Sequence, residues 1–223
     1  MAKITNKIKK FNEYKDEKHL SLYMSTFIAL IFSIYNLYLG IKYNLIWNLT
    51  ISAYYLLLLE SKTTISLHNF KVEKKGLSYS LTIFVFVSIL CLLITLFMIG
   101  PAVLMIHFER NVNVGKIVAI SIAAYTFCKL GVSIYGYSKY KKDKNLFKLQ
   151  VFIINLLGAL VSVLTLQNTL ISVCSENEET LNKMNILTTI TSILILLGMV
   201  VIVIISLKKG IIINNETKEK KLA

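Results

Sequence analysis

Residues 116–138 read KIVAISIAAYTFCKLGVSIYGYS. Between Ile117 and Ser138 one side chain is charged, Lys129. About 20 consecutive apolar residues are what a helix needs to cross the hydrocarbon core of a bilayer. The stretch therefore predicts a transmembrane helix with a long-chain cation near its middle. A charged group at the centre of such a helix costs about 2.5–3.5 kcal/mol even on lenient insertion scales, so it calls for a partner or a purpose.

The rest of the chain repeats the apolar pattern. Its 223 residues are 55% hydrophobic, with a mean hydropathy of +0.64. Six apolar segments are predicted, over 20–40, 45–60, 80–107, 116–138, 149–173 and 184–207. The second is short and is diluted by Asn48, Thr50 and Ser52. The expected fold is all-α and polytopic, six transmembrane helices in three hairpins. A basic tail over 1–19 precedes the membrane domain at 20–207, and a second basic tail follows it over 208–223. No loop has room for a soluble domain. The interior stretch 61–79 either extends the second helix into the cytosol or lies on the membrane surface.

The net charge of +13 is mainly a topology signal. With the N-terminus inside, six lysines lie in the first tail, four in the second-to-third loop, five in the fourth-to-fifth loop and five in the last tail, twenty of the 25 basic residues. Cytoplasmic loops collect Lys and Arg, so both termini are placed in the cytoplasm. Lys-rich loops also attract anionic headgroups. No aromatic residues interleave the lysines in a stacking pattern, which argues against nucleic acid. The first segment has no small-residue cleavage site after it and reads as an uncleaved helix. Cys91, Cys128 and Cys174 have no paired spacing.

Pro101 follows Gly100 in the third segment and cannot donate to the carbonyl of Phe97, so a kink is expected there. Transporters use such breaks to expose backbone to a substrate, but a plain kink that fits a long helix to the bilayer is the simpler reading. Ser33-Ile34-Tyr35 recurs as Ser133-Ile134-Tyr135. A three-plus-three inverted repeat would put the two in correspondence; chance in a chain rich in Ile, Tyr and Ser produces the same identities.

Membrane helices associate through small and weakly polar residues. The fifth segment shows two such rows, Asn155, Ser162, Thr169 and Gly158, Thr165, Ser172. The first carries Ser25, Ala29, Ser33, Asn36 and Gly40 on one face, the fourth Tyr125, Thr126, Lys129, Ser133 and Gly136. These faces are expected to meet inside the bundle. Lys129 lies about 13 Å from the inner end of its helix, and its side chain leans toward the outer end. Tyr125, Ser133, Asn155 and Ser162 are the candidate lining of a ligand site around it. Three roles fit Lys129: an anion ligand in a wet cavity, a group that changes protonation state, or a structural donor to hydroxyls and carbonyls.

Chemistry is sparse elsewhere. There is no Gly-x-Ser-x-Gly, no aspartate pair within the segments and no phosphate loop. His19, His68 and His107 lack metal-ligand spacing. No catalytic constellation, metal site or cofactor is expected.

Tyr35-Asn36, Gly40, Trp47, Tyr54-Tyr55, then Tyr125 and Lys129, then Asn155, Ala159-Leu160-Val161-Ser162, Leu164 and Leu166-Gln167 together resemble a six-helix integral membrane family of Firmicutes. That family has two adjacent tryptophans where this chain has Trp47-Asn48. The resemblance implies a bacterial cytoplasmic membrane and no known activity. Two functions remain: a carrier or solute-binding membrane component for an anionic or polar small solute, or a non-catalytic scaffold or regulator of a membrane partner or of a second copy.

Overall fold

The computed structural model of the chain describes residues 26–74, 81–104, 116–143, 145–174 and 178–222. The basic tail over 1–19, Ser25, the third segment's end at 105–107 and the loops around Arg110 and Glu176 lie outside them. Every element among the described residues is helical. They are α1 (Thr26–Lys42), α2 (Ile46–Lys74), α3 (Leu81–Phe97), α4 (Ile99–Leu104), α5 (Lys116–Asp143), α6 (Leu146–Cys174) and α7 (Glu178–Leu222).

Four stretches are long and apolar enough to cross a membrane: Leu81–Val103, Ile117–Ser138, Leu146–Ile171 and Ile186–Glu216. They mark the chain as a membrane protein. The described part of α1, Thr26–Lys42, is apolar and 17 residues long. α2 is long but carries too many polar groups to stand beside the four.

α6 is the hub, packing against α2, α3, α5 and α7. Of its span 67% is buried, against 22–33% for the other three. Its small-polar rows explain the position: Asn155, Gly158, Ser162, Thr165 and Thr169 are all buried, and short side chains let backbones approach. Asn145 starts α6 as its N-cap, with Oδ1 accepting from Phe147 N at 2.9 Å. The turn between α5 and α6 is therefore shorter than the expected 139–148 loop, because α5 runs on to Asp143. The opposite face of α5 leaves Ile117, Ile120, Phe127 and Ile134 exposed, a surface suited to acyl chains.

α1 and α2 form a tight hairpin. Asn44 has φ 52°, and Leu45 N donates to Gly40 O at 3.0 Å. This is a Schellman-type helix end with asparagine in the left-handed position. Side chains then stitch the pair: Ser33 Oγ donates to Ser52 O at 3.0 Å, and Asn48 Nδ2 donates to Asn36 Oδ1 at 3.3 Å.

The break in the third segment falls at Met98, three residues before Pro101. Met98 N is shared between Ile94 O at 3.3 Å and Thr95 O at 3.2 Å, and the ladder resumes with Ala102 N to Met98 O at 3.3 Å. A proline ring clashes with the carbonyl four residues earlier, here that of Phe97, which places the break one turn upstream.

Two helices run more than ten residues past their expected ends. α2 does not stop at residue 60 but continues to Lys74; of the two alternatives for 61–79, helical extension holds as far as that residue. α7 has 45 residues and continues through the expected C-terminal tail to Leu222. At about 1.5 Å per residue it is roughly 67 Å long, about twice the hydrocarbon thickness.

Candidate functional site

Three helices bring their polar positions to one place. On α2, Tyr55, Leu58 and Lys62 share a face at helical spacing; on α6, Asn155 and Gly158 do; on α5, Tyr125 and Lys129 do. Between them lies a cavity of about 20 Å³, room for a body the size of a water molecule. Its polar lining is Lys62, Lys129, Asn155 and Tyr55, and its apolar wall includes Ala29, Leu58 and Ile154. None of the lining residues is acidic.

Each polar group is held. Lys62 Nζ donates to Asn155 Oδ1 at 3.2 Å. Tyr55 Oη donates to Gly158 O at 2.8 Å, which fixes α2 on α6. Lys129 Nζ lies 5.6 Å from the centroid of the Tyr125 ring and 6.0 Å from that of Tyr55. Both are within cation–π range, an attraction worth about 2 kcal/mol when desolvated. Phe32 braces the two rings, stacked on Tyr125 at 4.0 Å and edge-on to Tyr55 at 5.1 Å. The ammonium of Lys129 is thus set against an aromatic wall, and Lys129 shares the cavity with Lys62.

The expected residues separate into two groups. Lys129 and Asn155 line the cavity, and Tyr125 supports Lys129 through its ring. Ser162 does not face the cavity. It is buried against its own helix, with Oγ donating to Ala159 O at 2.7 Å, while its carbonyl accepts from Thr126 Oγ1 at 3.1 Å. Ser133 is buried one turn from Lys129, and its hydroxyl meets no partner among the described residues. Gly100 and Pro101 belong to the α3–α4 break and are not among the lining residues.

Lys62 is the residue that sequence reasoning missed, having been assigned to a cytoplasmic loop. A signal was present: 61–74 contains neither glycine nor proline, so nothing local ends the helix before it. Among the described residues no group of His, Cys, Asp or Glu could hold a metal. Cys91 is buried as a free thiol, whereas Cys128 is exposed and turned away from the bundle.

Comparison with protein-family models, with curated proteins and with solved structures finds no match.

Proposed function

We propose that the protein is a multi-pass component of a bacterial cytoplasmic membrane, kin to the six-helix Firmicutes proteins, that binds a small anionic or polar solute. In this reading the α1–α2 hairpin supplies two further crossings to the four long apolar spans, and both termini lie in the cytoplasm. Lys129 and Asn155 bind the solute, with Tyr125 holding Lys129 in place. The observation that carries the reading is a cavity lined from four helices, α1, α2, α5 and α6, that brings two lysines and an amide together with no carboxylate. Buried polar groups in membrane helices are expensive to keep and tend to mark solute pathways.

Thermal unfolding of the detergent-solubilised protein against a panel of small anions and polar solutes tests this. A ligand that binds the folded state raises Tm with concentration. At least one solute is expected to do so in the wild type and to lose its effect in Lys129→Met. The unliganded variant keeps or gains stability, because a buried charge has been removed. If no solute shifts the wild type and Lys129→Met is simply less stable, Lys129 is structural and the proposal fails.

The alternative, a scaffold or regulator of a membrane partner, draws on α7. That helix is longer than a bilayer requires, and Lys208, Lys209, Ile211 and Ile212 are exposed along it. Under this reading truncation after residue 207 abolishes partner recruitment and leaves the cavity unaffected.

A further inference from the structure

We propose that the cavity between α2, α5 and α6 holds one halide-sized monovalent anion, bridged by the ammonium groups of Lys62 and Lys129. This rests on the solute-binding reading above and names the class of solute. It also adds Lys62, on a different helix, as the second ligand.

Size, charge and donor chemistry carry the argument. A space of about 20 Å³ takes one small occupant, which favours a monatomic ion over a multi-atom one. A neutral occupant of that size leaves the repulsion between two like-charged side chains that line one cavity in place. A single negative charge between them turns that repulsion into two attractions, strengthened by the low dielectric around them. The contacts of Lys129's ammonium among the described residues are ring faces, which attract a cation without accepting a hydrogen bond from it. Its N–H groups therefore have donor capacity to spend on an ion. Asn155 gives its amide oxygen to Lys62. The NH₂ of the same amide is a further neutral donor of the kind that solvates halides. Chloride and bromide match this environment, being spherical acceptors with no donor requirement of their own.

The test uses the full-length protein in detergent at fixed ionic strength, with sodium chloride or bromide replacing sodium gluconate. Chloride and bromide are expected to raise Tm in a saturable manner that gluconate does not reproduce. Lys62→Met and Lys129→Met are each expected to weaken the apparent halide affinity by roughly tenfold or more, since each removes one close charge interaction. Line broadening of ³⁵Cl resonances by the wild type gives an independent reading that needs no variant. Should a methionine variant fail to fold, Asn155→Asp serves instead. It sets a carboxylate beside Lys62 and is expected to expel the halide from a folded protein.

Halide stabilisation that survives all three substitutions overturns the proposal, because the ion then binds elsewhere. Stabilisation by a larger anion or a neutral solute only, dependent on Lys129, overturns the halide assignment and leaves the broader solute-binding reading standing. Absence of any Lys129-dependent shift, with no ³⁵Cl broadening, overturns both.

Discussion

Lys62 on α2 and Asn155 on α6 are 93 positions apart in the chain and joined by a 3.2 Å hydrogen bond. The bond takes a lysine that a charge count would leave in a cytoplasmic loop and anchors it beside Lys129. Asn155→Leu removes this acceptor from a buried ammonium and is expected to cost about 1.5–3 kcal/mol, the range for a hydrogen bond to a charged group. Asn155→Asp keeps an acceptor and adds an opposite charge, so it is expected to lose less stability than the leucine variant. Unfolding in mixed micelles measures both. Equal losses would show that Asn155 contributes shape rather than hydrogen bonding.

Tyr55 has two separable parts. Its hydroxyl ties α2 to Gly158 O, and its ring forms part of the wall beside Lys129. Tyr55→Phe removes the first alone and is expected to cost about 0.5–1.5 kcal/mol with solute binding retained. Tyr55→Ala removes both and leaves a void, for about 3–5 kcal/mol, together with weaker solute binding. If Tyr55→Phe abolishes binding while stability holds, the hydroxyl contacts the solute and the ring wall is not its main contribution.

The glycines divide by what surrounds them. A Cβ on Gly40 would stand 2.7 Å from Leu49 Cγ and 2.9 Å from the Leu49 backbone nitrogen. Backbone cannot swing aside, so Gly40→Ala is expected to open the α1–α2 hairpin and destabilise the protein. Apart from its chain neighbours and its own helix backbone, Gly100 has nothing within 4 Å of the same position. Gly100→Ala is therefore expected to be neutral or to stabilise by up to about 1 kcal/mol through helix propensity. The two Tm values, measured side by side, should move in opposite directions or differ clearly; matching losses would contradict the close α1–α2 approach.

What could be read in advance follows from which forces are local. The Ile117–Ser138 and Leu146–Ile171 spans were legible because lipid selects uninterrupted apolar runs, and Lys129 stood out against one of them. Asn155 was legible because a heptad row of small polar residues has to face a neighbouring helix. The end of α2 was not, since a hydropathy count stops at Glu60, Ser61 and Lys62. Nothing local shows that Lys62 is buried by its bond to a helix almost a hundred residues away. Ser162 occupies the same row as Asn155, yet its hydroxyl turns back to Ala159 O. Serine in a helix has that option, asparagine at the neighbouring level used a partner helix instead, and spacing alone does not separate them.

The α1–α2 hairpin decides between four crossings and six. α1 is apolar over its described residues, Thr26–Lys42, and joins α2 through the tight turn at Asn44. Lys42 ends α1, and Lys141 lies beyond the Ile117–Ser138 span; both are exposed. In a background with the three cysteines replaced, Lys42→Cys is expected to react with a membrane-impermeant maleimide on intact cells. Lys141→Cys is expected to react only after permeabilisation, because the proposed topology puts it among the lysines of the inner side. Lys42→Cys protected in intact cells together with Lys141→Cys would mean that the hairpin returns without crossing and that four spans suffice. The reverse pattern, with Lys141→Cys reacting from outside, would invert the topology and place the nineteen loop and tail lysines other than Lys62 on the wrong face of the membrane.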